Sequence, residues 1–227
     1  MKVLKLLLFI LSTNSIFCQT NQRLEDSVHI YWQPNIKLKN SDFKSDGRKE
    51  ENAEKYCEKI KLCACAATNF NVIIDIPKNK KKRKKLFEKI YLVPVLEKTK
   101  SYNLTKDTIG LLRQKIVFDI EEWTTRYIRK EIEKTTSLFE KKYGSIITWH
   151  NTIIREAKEK REKLIHDYTL YVYLEPKDNA YENWRLKIDK LLEETKEYAT
   201  KPEDCIRFIQ QKPLDEEYEQ LEFLGDS

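Results

Sequence analysis

The chain has 227 residues, of which 43 are Lys or Arg and 37 are Asp or Glu, for a net charge of +6. Four glycines in the whole chain leave no glycine-rich loop to cradle phosphates. The length suits one domain able to bury a real core.

The opening MKVLKLLLFILSTNSIFC pairs Lys2 and Lys5 with the apolar run Leu6 to Leu11 and the small polar Ser12 to Ser15. That order predicts a secretory signal peptide over residues 1–18, cut before Gln19, and the apolar run is too short to span a bilayer. Acylation of Cys18 is the alternative, disfavoured by the bulk of Phe17. Losing two lysines brings the mature net charge to +4. No later segment is long and apolar enough to cross a membrane. Residues 19–227 read as a single domain: a strand-rich half over 28–104, a helical half over 105–211 and an acidic tail over 212–227.

In chain order, His29 to Trp32 is a candidate strand. Leu62 to Ile76 (LCACAATNFNVIIDI) is the clearest strand, closed by Pro77. Lys78 to Lys85 (KNKKKRKK) lies between strand-like segments and reads as a solvated hairpin loop. Contact with an anionic surface is the alternative, while export argues against a nucleic-acid partner. Ile90 to Leu96 is a further strand, with Pro94 placing it at an edge or a bulge. From Thr105 or Asp107, either of which can cap, the period turns helical. Ile109, Leu112, Ile116, Ile120 and Trp123 predict one buried stripe. A second helix runs from about Ser145 to Thr169 on Ile146, Ile153, Ile154, Ala157, Leu164, Ile165 and Tyr168. A third carries Tyr181, Trp184, Ile188, Leu191 and Leu192, and a short one spans about Pro202 to Gln211. The fold class is therefore α+β: a small, mainly antiparallel sheet in the N-terminal half and three long helices in the C-terminal half.

After cleavage, Cys57, Cys63, Cys65 and Cys205 remain. Cys63 and Cys65 share a strand face and are badly placed to bond each other. A bridge from Cys57 or Cys65 to Cys205, or buried thiols, are the open readings.

Several separated pieces resemble a family of predicted secreted zinc-dependent peptidases, the domain of unknown function numbered 922. Its opening W-x-x-x-x-x-L-x-W-x-D-F is matched by Trp32, Leu38, Asp42 and Phe43, with Asn40 where tryptophan is usual. Ala66-Ala67-Thr68 is similar to its Ala-Ala-x-Thr strand, and Ser101-Tyr102 to its Ser-Trp. LLRQKIVFDI stands where the family carries L-L-x-H-E-Q-x-H-F-D-I, anchored by Phe118, Asp119 and Ile120. His166-Asp167 resembles its Tyr-Asp, and Trp184 to Leu192 its closing helix. The resemblance implies a zincin-like scaffold over most of residues 28–198.

The same alignment removes the chemistry. In an HExxH helix two histidines bind zinc and the glutamate activates its water. Here those positions are Arg113, Gln114 and Val117, which offer neither metal donor nor base. His150 and His166 stand roughly 24 Å apart along one helix and cannot share an ion. Glu121 and Glu122 are adjacent on a helix, point apart, and are expected in ion pairs with Arg126 or Lys115. His166 and Asp167 are candidate groove residues, and Arg113 would line the groove while Val117 fills the metal's place. A guanidinium there suits a carboxylate, from Asp167 or a bound partner. No cofactor or metal is expected. The reading is an exported, non-catalytic homologue that binds a protein, peptide or cell-envelope component. A hydrolase with a non-standard site and a structural envelope component are the alternatives.

Overall fold

The computed structural model describes residues 23–47, 52–138 and 144–221. The expected signal peptide, Cys18, Gln19, the side chain of Ile146 and the last part of the acidic tail lie outside them.

The elements in chain order are β1 (His29–Tyr31), α1 (Ala53–Ile60), β2 (Ala64–Cys65), β3 (Thr68–Pro77), β4 (Lys89–Glu97) and β5 (Tyr102–Asn103). They are followed by α2 (Thr108–Leu138), α3 (Ser145–Thr169), α4 (Ala180–Glu194), α5 (Pro202–Gln210) and β6 (Tyr218–Gln220). The fold is α+β, with antiparallel sheets built mainly from the N-terminal half and long helices after it. One sheet has the order β1-β4-β3-β6 and a second pairs β2 with β5, all antiparallel. No helix among the described residues is long and apolar enough to cross a membrane.

The β3–β4 hairpin carries the basic run as its exposed connection, with a 3-10 turn over Lys80–Lys84. The tail is not simply acidic coil. Its β6 pairs with Asp75–Pro77, Glu217 and Glu219 meet Lys82 and Arg83, and Asp215 meets Lys89 at 2.8 Å. Arg207 of α5 is fully buried and grips Asp75 through two 2.8 Å bonds, with Gln220 at 3.0 Å.

Pro94 sits not at an edge but on β4, between β1 and β3. Its carbonyl accepts from Trp32 N at 3.1 Å, just past the end of β1. The absent N–H therefore faces the finished end of the β1 ladder, where it costs little. The long strand read over Leu62 to Ile76 is two strands. β2 pairs with β5, and the chain turns through Ala66-Ala67 to enter the main sheet as β3.

Both faces of that sheet are covered. Phe70 and Leu92 pack against Ile128 and Ile132 of α2 and against Ile153 and Ala157 of α3. Val93 and Val95 pack with Tyr31 against Cys205 and Phe208 of α5. Two-sided burial explains why β3 and β4 read as continuous apolar runs. Each fully buried aliphatic side chain contributes about 1.5–3 kcal/mol. On its other side α2 meets α3 and α4 through Ile116, Ile120, Tyr168, Trp184 and Ile188.

Because α2 is enclosed on several sides, the single stripe expected for it does not hold. Ile116 and Ile120 are buried and Trp123 is half-buried, but Ile109 and Leu112 are 63% and 54% exposed while Leu111 is buried. The first turn of α2 overhangs solvent, and only its Leu111 side reaches the Trp32–Phe43 cluster. Asp107 is the cap, accepting from Gly110 N at 2.5 Å. Gly110 lets the turn pack closely there, since a Cβ would come within 3.1 Å of Ala64 Cβ.

Candidate functional site

A cleft of about 350 Å³ opens between the Ala64–Thr68 strip, α2 and α3. α2 contributes Gln114 and Val117 to it, and α3 contributes Arg161, Ile165 and Tyr168. Tyr173 closes one side from a π-helical turn over Leu170–Leu174 that prolongs α3. Of Arg113, Gln114 and Val117, the latter two thus line one cleft.

Gln114 is 3% exposed and its amide is engaged at both ends. Its Oε1 accepts from Ala66 N at 2.9 Å and its Nε2 donates to Ala64 O at 2.8 Å. An amide offers an acceptor and donors on one planar group; a carboxylate offers acceptors alone. Gln114 therefore works as a clamp on the edge of β2.

Arg113 does not reach Asp167. Its guanidinium stacks over the Tyr173 ring at 5.0 Å, and its carbonyl accepts from the Tyr168 hydroxyl at 3.0 Å. His166 and Asp167 pair with each other at 3.4 Å, and the His166 side chain is 74% exposed. Neither lines the cleft; Tyr168, on the inward side of the same turn, does. His150 is buried elsewhere on α3. Among the described residues, no group of three or more His, Cys, Asp or Glu is gathered as a metal would need.

The adjacent carboxylates do point apart. Glu122 pairs with Arg126 at 2.7 Å and accepts from Thr200 N at 2.9 Å. Glu121 meets not Lys115 but Arg161 of α3, at 2.5 Å. Both carboxyls are fully buried, and burial raises their pKa values above the ordinary carboxylate range against the pull of Arg161 on one and Arg126 on the other. Arg161 also donates from Nη2 to Thr68 O at 2.9 Å. The Thr68 hydroxyl comes near Glu121 without a hydrogen bond of ordinary geometry, and both Thr68 Oγ1 and Glu121 Oε1 are buried.

Around α2 the separated sequence pieces converge on one residue. Asp119 accepts from Trp32 Nε1 at 2.7 Å and from Arg185 Nη1 at 2.6 Å, and Lys115 pairs with it as well. A charged center shared by β1's exit, α2 and α4 has no local signature, and the sequence reading missed it.

The cysteines pair as the sequence did not suggest: Cys57 with Cys63, six residues apart, with Cα atoms 4.2 Å from each other. Neither Cys65 nor Cys205 is bridged to the other or to Cys57. The αL turn at Lys61 folds the end of α1 back toward β2 and so brings the pair together. Cys65 is exposed at the cleft, while Cys205 is buried and its thiol is pushed up to about 12 by that burial. Compared with family models, curated proteins and solved structures, this chain gives no match.

Proposed function

We propose that this is an exported, non-catalytic relative of the predicted secreted zinc peptidases, a zincin-like scaffold whose cleft binds a ligand rather than cleaving it. The observation that carries the reading is the Gln114 clamp. The side chain where a water-activating glutamate would stand is consumed by Ala64 O and Ala66 N. Val117, at the position of the second histidine, presents only methyl groups to the cleft.

The kinship is supported by the meeting of three quoted sequence pieces at Asp119, through Trp32, the α2 motif and Arg185. Export is supported by the N-terminal pattern and by the Cys57–Cys63 disulfide, which forms and persists in oxidising compartments. The partner is a protein, a peptide or a cell-envelope component.

The test is to purify the exported protein, measure its zinc content and assay peptide hydrolysis with and without added zinc. Substoichiometric zinc and no hydrolysis are expected. Stoichiometric zinc with metal-dependent hydrolysis would overturn the reading.

A further inference from the structure

The β3–β4 connection carries more positive charge than the fold neutralises. At its root Lys78, Lys82, Arg83 and Lys89 are engaged by the C-terminal segment. Lys82 pairs with Glu217, Arg83 with Glu219 at 3.6 Å and Lys89 with Asp215 at 2.8 Å, while Lys78 Nζ donates to Glu216 O at 2.8 Å. Lys78 N also donates to Glu217 O at 2.9 Å, and β6 continues along Asp75–Pro77. Asp215 to Gln220 therefore lies along the root of the hairpin as an acidic strap. Beyond the strap, Lys80, Lys81, Lys84 and Lys85 are exposed and make no ion pair among the described residues. The acid of the connection itself, Glu88, is buried, and its Oε1 accepts from Gly144 N at 2.6 Å.

The strap shows what chemistry the hairpin takes, and the exposure of its pairs shows that they are replaceable. The Lys82 and Glu217 side chains are 51% and 54% exposed. Pairs so open to solvent contribute little to stability and are screened by salt, so a second anionic surface can compete with the strap for the same cations. The residue types favour a diffuse surface over a single bound group. The outward cations are all lysines, compact hydrated charges on flexible stems, not the guanidinium forks that grip one phosphate or carboxylate through two bonds. Residues 78–86 hold no aromatic ring on which a nucleobase could stack. An acidic bilayer asks for neither device. It attracts clustered lysines through its surface potential, each strengthening binding about fivefold.

We propose that the Lys80–Lys85 turn is a docking surface for an acidic lipid bilayer, held below its full strength by the chain's own Asp215–Gln220 strap. The inference goes beyond the cleft and does not depend on what the cleft binds.

The test is sedimentation of the exported protein with vesicles, either of phosphatidylcholine alone or of phosphatidylcholine with about one third phosphatidylglycerol. Binding to the mixed vesicles and not to the neutral ones is expected. Raising salt from about 0.1 M to about 1 M shortens the screening length from about 10 Å to about 3 Å and should abolish it. Combining Lys80→Gln, Lys81→Gln, Lys84→Gln and Lys85→Gln should weaken binding at least about 100-fold, and leave the melting temperature in place because all four side chains are exposed. Combining Asp215→Asn, Glu217→Gln and Glu219→Gln releases Lys89, Lys82 and Arg83 and should tighten binding at least about tenfold. Glu217→Gln alone, which keeps the backbone pairing of β6, should tighten it about threefold and serves if the triple variant loses β6. Equal binding to neutral and mixed vesicles, or no binding by either the parent or the strap variants, overturns the docking surface. Parent-like binding by the quadruple lysine variant places the contact elsewhere and overturns it too. Strap variants that bind no tighter than the parent overturn the competition. Tighter binding to a single-stranded oligonucleotide than to mixed vesicles of equal total charge puts a polymer in place of the bilayer and overturns the proposal.

Discussion

Replacing Gln114 by glutamate changes one NH2 group into an oxygen. The clamp makes this substitution costly. The acceptor half survives, since either carboxylate oxygen can take the Ala66 N–H, now at 2.9 Å. The donor half does not: an oxygen would face Ala64 O at the 2.8 Å now spanned by a hydrogen bond. Losing that bond costs about 1 kcal/mol, and leaving a buried charged group and a carbonyl opposed costs about 2 kcal/mol more. With the site 3% exposed, solvent offers little screening. A total near 3 kcal/mol lowers the melting temperature of a chain this size by about 9 °C at pH 7. The pH dependence is the sharper readout. Opposition by the carbonyl raises the new carboxyl's pKa in the folded state above its unfolded value of about 4.3. Once protonated, it can donate to Ala64 O and accept from Ala66 N, as the amide does. The penalty is therefore absent below the unfolded pKa and grows as pH rises through the folded one. Thermal unfolding of Gln114→Glu and the parent from pH 3.5 to 8 measures this difference. If the two melt together at pH 7, or the gap narrows as pH rises, the clamp is not there.

Glu121 and Glu122 follow the same sign. Their pKa values are raised by burial, so each contributes stability that is full below about 4.5 and declines as pH rises through its folded value. Glu121→Gln, a fixed stand-in for the protonated acid, should flatten the pH–stability curve above 4.5 in urea titrations. An unchanged slope would show that Arg161 keeps the carboxylate ionised throughout. Iodoacetamide should label Cys65 in the native protein and reach Cys205 only after unfolding, as peptide mass mapping would reveal. Cys57→Ser with Cys63→Ser should cost about 2 kcal/mol, the value for so short a loop, measured by denaturant midpoint. Arg207→Ala strands the buried Asp75 and should cost about 3–5 kcal/mol, whereas a loss under 1 kcal/mol would mean that α5 and β6 are not tied to the sheet through this pair.

The elements legible in the sequence are those whose cause is local. A helix repeats every 3.6 residues and a strand every two, so α3, α4 and the β3–β4 hairpin announce themselves in spacing alone. Thr105 or Asp107 marks the start of α2 in the sequence because a cap acts within three residues, and the structure selects Asp107. That Arg113, Gln114 and Val117 are poor metal donors is equally local, because metal ligands are named by residue type. What tertiary structure decided lies between distant segments. The break at Ala66-Ala67, which sends one apolar run into two sheets, depends on β5 arriving to pair with β2. The burial of Gln114, Asp119, Glu121 and Glu122 depends on α2 being enclosed by a sheet and two other helices, which no periodicity within α2 encodes. The recruitment of β6 from an acidic tail depends on Arg207 and Asp75, whose charges match only once the sheet and α5 are assembled. Tyr168 rather than His166 faces the cleft because two residue steps turn a helix by about 200°, and the rotation of α3 is set by the packing of its Ile153 and Ala157 against Phe70, Leu92 and α2, not by the sequence around the histidine.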